Sequence, residues 1–354
     1  MSAQPDETIR MPAEWEPHEA TWLAYPHQSS DWPGKVSAVR WAMAEFVRKL
    51  QEQETVRLLV RDAKEARRAL SLLGRAGART SELEVHVCPT DRSWLRDSGP
   101  TFVLRGSSLR AVCWQFNAWG RYSNWQLDAR VGRSIARLAN ATIVEPRLAG
   151  RRIVLEGGAI DCNGRGTVLT TEECLLGQGR HARNAGLRRE DLESVLGDAL
   201  GATNVLWLGR GIAGDDTGGH VDTLARFVGP RTVAAAVEPD PVDENFEPLQ
   251  DNLERLKAMH DQDGRSLEIV ELPMPRPIHF EGWRVPATYA NFYVANGRVL
   301  VPTFNDPSDG LAVGILQQCF PDREVCGIHC TDIALGAGAL HCLAQQQPRI
   351  PHGP

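Results

Sequence analysis

No stretch of this chain approaches the ~20 consecutive apolar residues that a membrane-spanning helix needs, so no spanning segment is expected. The opening "MSAQPDETIRMPAEWEP" has neither the basic start nor the apolar middle of a secretory leader, which makes the cytoplasm the expected compartment. Positive charge is not in excess: a formal net charge of -6 argues against a nucleic-acid partner. The arginine-rich stretch "DAKEARRAL" reads as a solvated helix face. A dense cysteine framework is missing too. The cysteines at 88, 113, 162, 174, 319, 326, 330 and 342 are scattered and mostly set in apolar runs, as buried small hydrophobes would be. Zinc-type C-x₂-C pairs are lacking. "CGIHC" offers Cys326, His329 and Cys330, but on a strand the two cysteines would face away from the histidine. No Lys-Ser/Thr follows "NGRGT" or "GAGAL", so neither is a phosphate loop. No linker or low-complexity tract interrupts residues 1–354, which are expected to form a single domain.

What is there is a recurring pattern. After an irregular start with a short strand, "ATWLAYP", apolar residues Val39, Trp41, Met43, Phe46, Val47 and Leu50 recur at helical spacing, and the strand "VRLLV" follows. Amphipathic helices are then expected to begin near Asp62, Asp128, Arg189, Glu247 and Pro307, roughly every 60 residues, longer than the common solenoid periods. Each feeds an apolar strand: "LEVHVCP", "ATIVEP", "NVLWLG", "LEIVELP" or "EVCGIHC". Further strands such as "TFVLR", "TVLTT" and "RVLVPTF" precede the helices, so the unit is strands, helix, strand, an α/β pattern unlike strict βαβα alternation. Unusual loops fall at equivalent ends of these units: "DRSWLRDSGP", "EGGAID", "GIAGDDTGGHVD" and "TDIALGAGALHC".

Those loops hold the reactive residues. Cys342 follows a glycine-rich turn that can bend sharply and project a thiol into a cavity, although a lone cysteine is more often structural. His220 and Asp222 stand two apart, which on a strand puts both on one face; the plainer reading is a "DDTGG" turn that happens to precede a histidine. Asp97 beside Arg96 could equally be a surface ion pair, and Trp94 could be core. Glu156 ends an apolar stretch, at a rim or in a pocket. Together they are more telling: one thiol, one imidazole and three carboxylates at comparable positions suit a cationic planar group, because carboxylates pair with the guanidinium fork. A polarisable thiolate is a sensible nucleophile for its central carbon.

The motifs "MPAEWEPHEATWLAYP", "SWLRDSGP", "EGG", "GTVLTTEECLL", "GHVD", "ANFYVANGRVLVPTF" and "LHCLAQQQP", in this order over nearly the whole length, resemble the agmatine deiminases of the bacterial peptidylarginine-deiminase type, within the guanidino-group-modifying superfamily. The resemblance implies a five-bladed α/β propeller (pentein fold) and hydrolysis of agmatine to N-carbamoylputrescine and ammonia, without cofactor. It implies Cys342 as the nucleophile of a covalent amidino-thioether, His220 as acid then base, Glu156 as its orienting partner, and Asp97 and Asp222 as the guanidinium clamp. A homodimer is implied by analogy. Asp161, Ala339, Leu340 and the segment Gly177–Asn184 depart from the family pattern and bear on how the far end of the substrate is held; Trp94, Asp215 and Asp216 are candidates to meet a distal amine. The alternatives are another guanidine as substrate, free arginine or peptidyl-arginine, or a binding protein with an idle nucleophile, against which the intact Cys–His–carboxylate set argues.

Overall fold

The computed structural model describes residues 8–179 and 182–351. Apart from two antiparallel two-stranded hairpins, their strands form five mixed sheets with one connectivity: an antiparallel pair, a helix, then a strand parallel to the second of the pair. One sheet joins Thr101–Arg105, Ser108–Val112 and, after the helix Asp128–Leu138, Thr142–Val144. The next joins Asp161–Cys162, Thr167–Thr171 and, after Arg189–Leu200, Asn204–Leu208. Ala225–Phe227, Thr232–Val237, the helix Phe246–Ala258 and Glu268–Pro273 repeat the scheme. So do Tyr293–Val294, Arg298–Thr303, Asp309–Cys319 and Glu324–His329. Parallel neighbours need such a crossover, which is why every unit carries its helix. The fifth sheet is shared by the two ends of the chain. Ala344–Pro348 runs antiparallel to His18–Ala24, which pairs in parallel with Thr55–Val60 across the helix Val36–Gln51, and Glu84–Val87 adds a further strand.

The helix starts fall where the sequence pattern puts them, for local reasons. Asp62 caps Ala63–Arg75 by accepting the Glu65 N–H at 2.7 Å, an interaction typically worth about 1 kcal/mol. In Val36–Gln51 the residues Val39, Met43, Phe46, Val47 and Leu50 are fully buried; each large apolar side chain removed from water contributes roughly 1.5–3 kcal/mol. Trp41, expected on the same face, is 46% exposed and instead carries the Arg75 guanidinium over its ring at 5.6 Å. Two expected strands are shorter than their apolar runs suggest. In "RIVLEGG" only Arg152 pairs in a sheet, as the end of the strand Arg151–Arg152, and "ANFYVA" opens within the 3₁₀ turn Tyr289–Asn291. In both cases the backbone leaves the ladder where it delivers a side chain to the site.

Five short turns, one from each repeating unit, touch in a closed circuit: Leu95–Ser98, Gly157–Ala159, Val221–Thr223, Tyr289–Asn291 and Leu340–Leu343. This circuit places Asp97, Glu156, His220, Asp222, Asn291 and Cys342 together. No helix among the described residues is long and apolar enough to cross a membrane.

Candidate active site

Cys342 lies on the short helix Leu340–Leu343, 4% exposed, in the floor of a cavity of about 480 Å³. Asn291, which the sequence reading passed over, locks this turn. Its Oδ1 accepts the backbone N–H groups of Ala339 and Cys342 at 3.1 and 3.3 Å, and its amide donates to Cys342 Sγ at 3.2 Å. The thiol donates to Asp222 Oδ2 at 3.4 Å. The bend before it is not made by glycine flexibility as expected. The residue with a left-handed backbone is Ala337 (φ 67°), and the glycines serve close approach. A Cβ on Gly338 would lie 2.9 Å from both Cys342 Cβ and the Trp94 ring, and one on Gly336 would strike the rings of Trp32 and Trp94 at 2.6 Å.

His220 and Asp222 do come together, though not on a strand. His220 opens a 3₁₀ turn, Val221–Thr223, reached through Gly218 and Gly219 at φ 83° and 88°. The imidazole is fully buried, with Nδ1 3.7 Å from Asp97 Oδ1 and Nε2 3.5 Å from Glu156 Oε2. Burial alone would lower its pKa. The Asp97 carboxylate, Cys174 and Glu156 more than offset this and hold it well above the usual 6.5. Glu156 is itself held below its ordinary range: burial opposes ionisation, but Arg183 at 3.1 Å and His220 prevail. Asn184 fixes the backbone beside Glu156 by accepting the Val154 N–H at 3.0 Å and donating to its carbonyl at 2.7 Å.

Asp97 is not in a surface pair with Arg96; both are buried and diverge. Asp97 accepts from Trp119 Nε1 at 2.9 Å and the Gly158 N–H at 3.1 Å. Burial, against the pull of His220 and with the like charges of Asp222 and Glu156, pushes it up to about 6. Gly158 must be glycine, since a Cβ would sit 2.6 Å from His220 Nδ1 and 2.8 Å from Asp97 Oδ1. Asp222 keeps its charge in spite of burial because His341 Nδ1 meets its Oδ2 at 2.7 Å. Its Oδ1 is buried with no partner among the described residues. Behind it lies a hub the sequence did not advertise. Glu14 Oε2 meets His341 Nε2 at 2.9 Å, Arg226 Nη2 at 3.0 Å and Arg96 Nη2 at 3.2 Å.

Trp94 lines the cavity and donates to Asp31 Oδ2 at 3.0 Å; Asp216 lines it as well and accepts from the Tyr122 hydroxyl. Asp215 does not line it. Its carboxylate is taken up by the loop itself, accepting from Thr217 N–H and hydroxyl at 2.8 and 2.6 Å, Gly219 N–H at 2.8 Å and His220 N–H at 3.2 Å. It shapes the turn that presents His220. Of the departures from the family pattern, Asp161 pairs with the buried Arg226 at 3.3 Å and accepts the Phe227 N–H. Ala339 and Leu340 are buried and, like Asp161, lie outside the cavity wall. In Gly177–Asn184, Arg183 and Asn184 support Glu156 as described, and Arg180 and His181 lie outside the described residues. Cys326, His329 and Cys330 form no metal-type group. Among the described residues, the side chains close enough together to share an ion are Glu156, Cys174 and His220, all buried.

A thiol held between carboxylates, in a pocket that also retains an imidazolium, has little use for a neutral or anionic reactant; it suits an enzyme that cleaves C–N bonds of guanidino groups. Comparison with known proteins narrows this class. The chain belongs to the Porphyromonas-type peptidyl-arginine deiminase family, which matches residues 10–348. It is 36% identical over 364 residues to the agmatine deiminase of Ectopseudomonas mendocina, covering 96% of this chain and 95% of that protein. The Stutzerimonas stutzeri agmatine deiminase is 35% identical with the same coverage, 96% and 95%. Among solved structures, the Enterococcus faecalis agmatine deiminase superposes with a TM-score of 0.88 at 31% identity, covering 99% of each chain. A Cys-to-Ser form of the C. jejuni enzyme with substrate bound gives 0.86 at 30% identity, covering 97% of each.

Proposed function

We propose that this protein hydrolyses agmatine to N-carbamoylputrescine and ammonia, a step toward putrescine, with residues 1–354 acting as one catalytic unit. The observation that carries this reading is the buried Cys342 thiol set against Asp222, whose second oxygen is unpaired, with the His220 imidazole beside Asp97. A guanidinium seated there gives N–H groups to Asp97 and Asp222, and its carbon faces Sγ. The incoming cation offsets the carboxylates that keep the thiol protonated, and the thiol proton is lost to water. The thiolate attacks the carbon. His220 gives its proton to the departing amine, which leaves as ammonia, and an amidino-thioether remains. Neutral His220 then takes a proton from water as its oxygen attacks the same carbon. Collapse expels the sulfur, which recovers its proton, and releases the ureido product. Glu156, backed by Arg183, keeps the imidazole oriented through both halves.

Beyond the chemistry, the closed circuit of turns supports a five-bladed propeller with the site at its hub. Asp216 and Trp94 are the best placed of the expected residues for a distal amine, since both line the cavity. A homodimer in the cytoplasm completes the proposal. The test is turnover of a guanidine panel followed by release of the ureido product. Agmatine is expected to exceed free arginine and peptidyl-arginine by at least about 100-fold in kcat/KM; citrulline from arginine with nothing from agmatine would overturn the substrate, and no turnover of any guanidine would make the protein a binder.

The resting thiol gives a second check. Burial, Asp222 and Asp97 push the Cys342 pKa well above its ordinary 9.0, and a raised thiol pKa leaves the neutral form dominant at pH 7. Iodoacetamide labelling of Cys342 in the unliganded protein is therefore expected to climb about tenfold per pH unit and to be still rising at pH 9. A plateau below pH 8 would show a thiolate already present.

A further inference from the structure

Of the buried thiols that the mechanism does not use, one stands beside the site. Cys174, 1% exposed, lies on the short helix Glu172–Leu175, and its sulfur, a ring nitrogen of His220 and an oxygen of Glu156 all lie within 4.8 Å of one another. Neither nitrogen of His220 has a hydrogen bond among the described residues; the carboxylates approach only to 3.5 and 3.7 Å. The tilt of this ring is thus set by what packs around it as much as by directed bonds. The chain also ties the two segments together. The Thr171 hydroxyl accepts the Cys174 N–H at 3.2 Å and donates to the carbonyl of Gly219, the residue before His220, at 2.6 Å. Glu173 accepts the Gly211 N–H at 2.7 Å in the loop that leads to the histidine.

We propose that Cys174 is a positioning residue for His220: its sulfur and Glu156 form the wall that holds the imidazole with Nδ1 turned toward Asp97 and the reacting carbon. The inference rests on the acid–base role assigned to His220 above. Sulfur suits this place because it is large and polarisable. It fills the space beside the ring and receives the imidazolium N–H charge without adding a further carboxylate to an already acidic pocket. Alanine leaves the ring room to turn, and a small misplacement of an acid–base group costs rate rather than binding.

The experiment compares Cys174→Ala and Cys174→Ser with the wild-type protein for kcat, KM and the pH profile of kcat/KM on agmatine, and includes His220→Asn. Cys174→Ala is expected to lower kcat about tenfold with KM within twofold, and to move the His220 limb to lower pH by about one unit. The serine variant is expected to fall between, in rate and in limb position. A folded alanine variant with wild-type kcat and an unmoved limb overturns the proposal, as does a loss that follows melting temperature alone. If the alanine variant does not fold, the nearly isosteric serine decides by the same limb. Retained turnover in His220→Asn would instead defeat the role of the histidine itself, a separate failure.

Discussion

Replacing Cys342 by alanine is expected to abolish agmatine turnover, on the order of 10⁴-fold or more in kcat, while leaving the fold intact. The expectation follows from the cavity lining: among the described residues Cys342 is the cysteine in it, and the hydroxyls that share the wall, on Ser30, Tyr122, Ser123 and Thr217, are far weaker nucleophiles than a thiolate. The fold should survive because the turn is held by Asn291 through the backbone N–H groups of Ala339 and Cys342, not through the sulfur. The lost contacts are one donation from Asn291 and one to Asp222, worth about 1 kcal/mol each. Residual turnover within tenfold of wild type, in a variant with unchanged circular dichroism, would remove Cys342 from the mechanism. Calorimetry adds an independent arm: the alanine variant should still bind agmatine, because Asp97 and Asp222 remain.

The largest stability effect is expected at Glu14. Its carboxylate stands between two buried guanidinium groups, Arg96 and Arg226, and the His341 ring, and also accepts the Val294 N–H at 2.8 Å. Glu14→Ala leaves those charges uncompensated, and breaking a buried pair from one side typically costs 3–5 kcal/mol, a large part of the ~5–15 kcal/mol that holds a protein folded. Glu14→Gln keeps the shape and should lose less. Urea midpoints measure both; an alanine variant within about 1 kcal/mol of wild type would mean the cations are satisfied elsewhere. The pH dependence has a defined sign. Burial opposes the Glu14 charge, but Arg226, His341 and Arg96 hold its pKa well below the ordinary 4.5. A carboxyl depressed by folding contributes stability that is fully present above the unfolded value, near 4.5, and is lost as pH falls through the folded one. Wild type should therefore lose stability on acidification below about pH 4.5 more steeply than Glu14→Gln, whose missing carboxyl removes that part of the slope.

Much of this was legible in the chain. The helix starts near Asp62, Asp128, Arg189 and Glu247 matched the structure because apolar spacing places each within a few residues, with capping added at the first and third. The helix expected near Pro307 begins two residues on, at Asp309. The loops with reactive residues do converge, since strands of equivalent units end on the same side. Contacts between distant segments were not legible. Nothing local marks Glu14 in "MPAEWEP" as a hub, or Asn291 in "YANFY" as the clamp on a cysteine 51 positions later. Asp215 and Asp216 look alike in sequence, yet one caps its own loop and the other faces the cavity. Trp41 fits the helical spacing but lies outside the core.

By itself, then, the sequence determined the alternation of strands and helices and the set of thiol, imidazole and carboxylates, because periodicity and side-chain chemistry are written residue by residue. The tertiary structure decided which carboxylate holds a proton near pH 6 and which stays charged, which glycine must lack a Cβ, and which buried cation needs Glu14. Those outcomes depend on distances and desolvation between segments up to the full chain apart, and such terms exist only once the turns have closed their circuit.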